Sequence, residues 1–309
     1  MVWDWIIACY LFLAGLGAGA FALAALAGFV KADTVKLRTM GYLIAPIAVG
    51  IGTILLMVDA RAGLMNPLRF FGLLTNFGSV MTWGVVILIA FMIVSVIALI
   101  MTLVKKSVPR ALDVVGLVCA AAVAVYTGLL LGAAPGFPLW NPIVLPLLFL
   151  VSATSSGFAA VLVIAHAIKL EDVQALGFLK KTGLAFPVLE AVLIAALLGV
   201  TAAVGGSGAA AASASVANLV SGTYAVPFWL GLVVIGIVLP FCLELAQASR
   251  AKKVGSAGAG EPSAQAAGLT AASTAGSSGL AITGEIGVLI GGFLLRYLII
   301  MAAVPLTLL

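Results

Sequence analysis

Side chains able to give or take a proton are scarce in this chain, and most of them lie inside long apolar stretches. A charge at bilayer depth is costly unless it is paired or wet, so each such group is a candidate for handling protons or binding a polar ligand. Counting ~1.5 Å of rise per residue along each stretch puts Asp4, Tyr10, Asp59, Ser79, Trp83, Tyr126 and Arg296 in one half of the membrane. Glu190 falls near the middle, and His166, Glu244, Glu285 and Asp113 fall near the opposite edge.

Each group has a chemical and a structural reading. Arg296 is either a cation that holds a carboxylate or polarises a carbonyl oxygen, or a side chain that snorkels or pairs with Asp59. Asp59, beside Arg61, is an interfacial residue or a proton-transfer group. Tyr126, in VYTGLLLG, has a hydroxyl that needs a partner, although tyrosines near a membrane surface commonly belong to an aromatic belt. Glu190 is the strongest candidate for a proton relay, because carboxylates at mid-bilayer are rare. His166, close to Lys169, reads first as an interfacial histidine, and Glu244 and Asp113 read as solvated helix-end groups. The run GLGAGA (15–20) suits close helix packing.

Metal chemistry is limited by what is missing. Cys9, Cys119 and Cys242 are far apart and His166 is the sole histidine, so the protein supplies neither an iron–sulfur nor a structural zinc ligand set, and no bis-histidine haem.

The elements that must position these groups follow from composition. Of 309 residues 64% are hydrophobic and 8% charged, with a mean hydropathy of +1.32, against roughly 25% charged in an ordinary soluble domain. A water-soluble fold is excluded, and the expected class is an all-α integral membrane protein. Apolar runs at 3–30, 40–58, 80–104, 111–132, 142–169, 178–203, 225–248 and 281–306 are each near the ~20 residues needed to cross a bilayer, giving eight transmembrane helices. The net charge of +5 is concentrated on one side. Lys31, Lys36, Arg38, Lys105, Lys106, Arg110, Lys169, Lys180, Lys181, Arg250, Lys252 and Lys253 follow odd-numbered spans, whereas the even-numbered connections hold only Arg61 and Arg69. The positive-inside rule therefore places both termini outside the cytoplasm.

The opening MVWDWIIACY lacks a basic n-region, so the first span reads as retained, with Trp3 and Trp5 at the interface. Residues 249–279 have the Gly/Ala/Ser-rich composition of a flexible cytoplasmic linker, and 205–223 have a similar composition on the outer side. Residues 59–79, with two arginines among Leu and Phe, suit an interfacial helix or docking surface, and the proline-packed 134–146 suits a rigid outer loop. Sliding the first span by 137 residues onto the fifth aligns Leu11-Phe12-Leu13 with Leu148-Phe149-Leu150 and Phe21-Ala22 with Phe158-Ala159. A single domain over 1–309, with halves 1–135 and 136–309 forming two four-helix bundles, is the expectation.

Taken in order along the sequence, several motifs resemble the NrfD/PsrC family of membrane subunits of molybdopterin oxidoreductases such as polysulfide reductase. They are W-D-W followed by YLFLAGLGAGAF (10–21), Asp59 with NPLRF (66–70), SVMTWG (79–84), YTGLLLG (126–132), PLWNP (138–142), LPLLFLVSATSSG (145–157) and GGFLLRY (291–297). The resemblance implies a haem-free pair of four-helix bundles in the cytoplasmic (inner) membrane with a quinone site near the outer surface. It also implies an iron–sulfur, ferredoxin-like partner with four clusters docking there and a molybdopterin catalytic subunit beyond it. The family's quinone contacts fall on Asp4, Tyr10 and Tyr126, and this sequence departs from the polysulfide reductase pattern in having Asp4, Ile7 and Tyr10 where histidine and asparagine stand on the first helix.

Quinol oxidation then needs hydrogen-bond partners for the ring oxygens and a carboxylate that accepts a proton. Tyr10 and Tyr126 are expected in the first role, Asp59 or Asp4 in the second, and Arg296 as the charge that stabilises a reduced ring oxygen. Menaquinone and ubiquinone both fit, and Glu190 with His166 or Glu285 would form a proton path from the cytoplasm. The alternative class is a secondary transporter of a small solute or ion, which predicts helices broken at mid-membrane, with Pro46 and Pro187 as near-matching positions in the two halves.

Overall fold

A computed structural model of the protein describes residues 4–31, 33–59, 78–105, 107–173, 176–257 and 264–306, and the described residues contain helices and turns without a strand. The helices are α1 (Trp5–Val30), α2 (Val35–Asp59), α3 (Val80–Lys105), α4 (Arg110–Gly132), α5 (Val144–Ala167), α6 (Phe178–Ala202), α7 (Ala209–Val220), α8 (Leu239–Ala257) and α9 (Ala264–Met301). A π-helical segment, Pro227–Val238, runs directly into α8. Eight of these segments are long and apolar enough to cross a membrane, the seventh being Pro227–Gln247 and the eighth Gly279–Met301. Their ends fall within a few residues of the apolar runs, because hydrocarbon leaves backbone groups no partners outside a helix. Serine and threonine hydroxyls inside the spans are satisfied the same way: Thr53, Thr102, Ser156 and Thr201 each donate to the carbonyl four residues back.

α1 sits at the centre, packed on α2, α4, α5 and α9. Around it α2 touches α3 and α3 touches α4, while in the second half α5 touches α6, α6 touches α8 and the π-segment, and both of these touch α9, which returns to α5. The α1–α5 crossing is a backbone contact. A Cβ on Gly157 would lie 2.3 Å from Ala20 N, and one on Gly19 would lie 2.1 Å from the carbonyl oxygen of Ala153. The small-residue run expected to permit close packing does so here.

One end of the assembly carries Trp5 and the other Lys31. At the Lys31 end the structure corrects the reading of Asp113 as solvated: it is 2% exposed, and its carboxylate takes Arg38 Nη2 at 3.0 Å and the hydroxyl of Tyr42. Arg38 Nη2 also donates to Tyr42 Oη at 3.2 Å, and Gly28 of α1 leaves the space its guanidinium fills. A basic residue that the sequence assigns to a loop thus turns inward, because a carboxylate three residues into α4 meets it.

A second correction concerns 205–223. After a turn at Gly206 (φ +69°), residues 209–220 form α7, whose Ala211, Ala212, Ser215 and Leu219 are buried. Ser215 Oγ accepts from the backbone N–H of Val304 at 2.9 Å, and Trp229 Nε1 donates to the Val220 carbonyl at 2.9 Å. Alanine-rich composition suggested a linker, yet alanine is the strongest helix former, and these small residues recur at helical spacing. In 249–279, α8 continues to Ala257 and α9 begins at Ala264, with 258–263 outside the described residues. The loop 134–146 is packed: Trp140 Nε1 donates to the Ile299 carbonyl at 2.9 Å, and its ring stacks on Phe137.

Candidate functional site

Near the Trp5 end, Tyr10 of α1 and Tyr126 of α4 are both buried and close enough to interact electrostatically. Tyr126 reaches α3 because residue 84 is glycine. A Cβ there would fall 1.8 Å from Tyr126 Cζ and 1.9 Å from its hydroxyl oxygen. The exposed side of Tyr126 borders a cavity of about 400 Å³ between α3 and α4, lined by Val80, Trp83, Ile87, Ala122, Val125 and Leu129. Val80, Trp83 and Leu129 are themselves exposed, so the cavity opens on the outer, apolar surface of the bundle. The site on offer is an apolar slot entered from lipid, with the Tyr126 ring in one wall and its hydroxyl oxygen against Gly84.

The structure does not gather all the groups expected at this end. Asp4 is exposed at the start of α1, its side chain forming no cap hydrogen bond, and Tyr10 lies six residues, about 9 Å, farther along the helix. Asp59 is the last residue of α2, and its side chain, like most of the 59–79 segment, lies outside the described residues.

Arg296 departs from its expected depth. It is completely buried, donating through Nη1 to the Gly292 carbonyl at 2.7 Å and to Ser152 Oγ at 3.1 Å, with its guanidinium over the rings of Phe149 and Phe12. Helical side chains lean toward the N-terminus of their own helix, and Gly292 is one turn inward, so the guanidinium sits closer to mid-membrane than its Cα. Gly15 of α1 leaves room for it, since a Cβ there would lie 2.8 Å from Nη2. Glu190, 7% exposed on α6, is its electrostatic partner. Ser152 lies eight residues into α5 and Glu190 twelve residues from the end of α6, about 12 and 18 Å of rise, so the pair occupies the membrane interior. Arg296 Nε and Nη2 are buried without hydrogen-bond partners.

Toward the Lys31 end, Glu285 is half-buried on α9 beside Glu244 of α8, whose carboxyl packs against Gly183 of α6. His166 is half-buried near the end of α5 with its Nδ1 lacking a partner. It lies fourteen residues along α5 from Ser152, about 21 Å, so the structure brings it to neither Glu190 nor Arg296. Among the described residues no group of three or more His, Cys, Asp or Glu side chains is placed to hold a metal ion.

The reading of charges alone missed Ser152 and Ser155. Their signal was present in LVSATSSG, where Ser152, Ser155 and Ser156 share one face of α5 at spacings of three and four.

Comparison with known proteins follows the same outline. The profile of the family described as "Polysulphide reductase, NrfD" matches residues 1–256. The C subunit of polysulfide reductase from Wolinella succinogenes is 38% identical over 274 residues, covering 80% of this protein and 84% of that one. Protein NrfD of Escherichia coli is 33% identical and its homolog from Haemophilus influenzae 32%, each over 279 residues, 79% of this protein and 84% of the relative.

Proposed function

The chain belongs to the NrfD family of polysulphide reductase membrane proteins, and from that premise we propose that it is the quinone-reactive membrane subunit of a multi-subunit respiratory oxidoreductase. It exchanges electrons between the quinone pool and an iron–sulfur partner docked at the Trp5 end, with a molybdopterin catalytic subunit beyond. The Trp5 end faces away from the cytoplasm in this reading, following the basic residues gathered at the other end. The closed circuits of helix contacts in residues 5–132 and 144–301 support the division into two four-helix bundles.

The observation that carries the reading is the slot beside Tyr126: apolar, open to lipid, and walled on one side by the Tyr126 ring. A menaquinol or ubiquinol supplies two electrons and two protons on oxidation, and an isoprenoid-tailed ring suits a slot of this kind. Tyr126 offers a hydroxyl that gives or receives a hydrogen bond, and Tyr10 is buried on α1, which packs against α4. Asp59, at the same end of the bundle, is the proton acceptor in this scheme and Asp4 the second carboxylate at the surface. Arg296 acts from the interior through its pairing with Glu190, and Glu190, Glu285 and His166 mark the depths a proton path to the cytoplasmic side would use.

Replacing Tyr126 with Phe keeps the ring in its Gly84 niche and removes the hydroxyl. Quinol-linked turnover of the assembled complex is expected to fall about tenfold, the equivalent of one hydrogen bond of ~1.4 kcal/mol lost at the transition state. Unchanged turnover in assembled complex removes Tyr126 from the site. The transporter alternative asks for broken helices at mid-membrane, whereas α2 and α6 run through Pro46 and Pro187 without a break.

A further inference from the structure

The slot between α3 and α4 is lined almost wholly by carbon. Val80, Trp83 and Ile87 stand on one side and Ala122, Val125, Tyr126 and Leu129 on the other, and Tyr126 turns the flank of its ring to the slot because its hydroxyl oxygen lies against Gly84. The two oxygens of a quinone ring seated there would be left without hydrogen-bond partners. A polyprenyl chain has no such bonds to lose and gains by leaving its surroundings for a fitted apolar wall.

The shape of the slot also suits a chain. Val80 to Ile87 on α3 and Ala122 to Leu129 on α4 each cover about 10 Å of helix rise. Val80 opens α3 and Leu129 lies in the last turn of α4, so the slot runs along the helix axes from the Trp5 end toward the membrane centre. A phospholipid acyl chain is the other apolar guest at hand. It arrives tied to a phosphate, and among the described residues at the Trp5 end of the slot, 78–81 and 129–134, there is no cation to receive one.

We propose that this slot holds the polyprenyl tail of the quinol, with the Tyr126 ring as the partition between the tail and the redox-active ring. The inference rests on the reading that the protein exchanges electrons with a quinone. Recognition of the tail is by burial, against aromatic carbon of Trp83 and Tyr126 and aliphatic carbon of Ile87, Val125 and Leu129, so it grows with the length of chain inside the slot. Ala122 is the smallest side chain of the lining and stands with Ile87 at the deep end, where a larger residue would block the chain.

The test compares two quinols with the same ring, one carrying a long polyprenyl chain and the other a methyl group in its place. The whole complex, in proteoliposomes with its own electron acceptor, is assayed for kcat/KM on each. The ratio of the two values is the tail preference, and partitioning of the tailed quinol into lipid cancels when variants are compared with the unmodified protein. Ala122→Leu should lower the preference about tenfold, mainly through KM of the tailed quinol, as expected when some two methylene groups are denied burial. Trp83→Ala, which removes one wall, should lower it in the same direction. Ala121→Leu makes the same change one residue away, at an exposed position outside the slot, and should keep the preference. If Ala122→Leu does not assemble, Ala122→Val takes its place. An unaltered preference in the Ala122 variant assigns the slot to lipid, and equal losses on both quinols put the ring in the slot; either result overturns the proposal. No turnover of either quinol by unmodified complex whose catalytic subunit is active overturns the quinone reading itself, so the two failures are distinguishable.

Discussion

The buried pair at the Lys31 end makes a quantitative demand on stability. Arg38 Nη2 and Asp113 Oδ2 are 3.0 Å apart, a separation at which unit charges attract by about 5.5 kcal/mol at an effective dielectric of ~20. Most of that is offset by the cost of removing both ions from water, so the net worth of the pair is small while the penalty for breaking it is large. Asp113→Leu leaves an uncompensated guanidinium between α1, α2 and α4 and should cost ~3–5 kcal/mol, and Arg38→Met should cost a similar amount by stranding the carboxylate. The double variant removes both ions and leaves only Tyr42 without its acceptor, at ~1–3 kcal/mol. Two single losses summing to ~6–10 against a double loss of ~1–3 give a coupling of roughly 3–9 kcal/mol. Reversible unfolding of the full-length protein in mixed detergent micelles, followed by the fluorescence of its five tryptophans, measures all three. Additive losses, or a cost below ~1 kcal/mol for Asp113→Leu, would refute the claim that these charges face each other out of reach of water.

Gly84→Ala places a methyl where the Tyr126 ring lies and should reduce quinol-linked turnover at least as much as Tyr126→Phe. Gly199→Ala, at a site with open space, should leave turnover unaltered in the same assay. Orientation is checked by cysteine labelling in a background lacking Cys9, Cys119 and Cys242: an impermeant reagent should label Gly136→Cys in intact cells and leave Lys105→Cys unlabelled until the cells are opened. The reverse pattern would put the Tyr126 slot on the cytoplasmic side. Trp140→Phe forfeits the hydrogen bond to the Ile299 carbonyl and should cost ~1 kcal/mol, read from the same micelle unfolding curves.

Spans were legible because hydrocarbon imposes one rule on every residue that touches it, and a run of some twenty apolar residues has few other uses. Sidedness in depth was less legible. Arg296 is five residues from the end of α9, and a count along the helix puts it near the surface, but a long side chain leaning one turn inward reaches Ser152. Arg38 and Asp113 were misjudged for a related reason: each is three residues inside a helix end, where an exposed and a buried charge have the same sequence environment, and only the meeting of α2 with α4 decides between them. Residues 209–220 show the limit of composition, since the alanines of a linker and of a packed helix differ only in whether a neighbour such as Val304 is there to be met. Tyr126 and Glu190 stand out in the sequence because a hydroxyl or carboxylate in an apolar span has to be accounted for, whereas serines close on their own helix so readily that Ser152 raised no question.

The contact between the backbones of Gly19 and Gly157 also sets an order of events in synthesis. At ~5–20 residues per second, the ribosome needs roughly 7–28 s to make the 138 residues that separate the two glycines. During that interval α1 is already in the membrane with a face of bare backbone that lipid tails fill poorly, and α2 and α4 cover other sides of it. The surface most able to substitute for the absent α5 is the same glycine face on another newly made copy. Rapid overproduction therefore favours exchanged pairs of copies, and slowing translation before α5 prolongs the exposure, while supplying residues 136–309 as a separate polypeptide would give the waiting helix its proper neighbour.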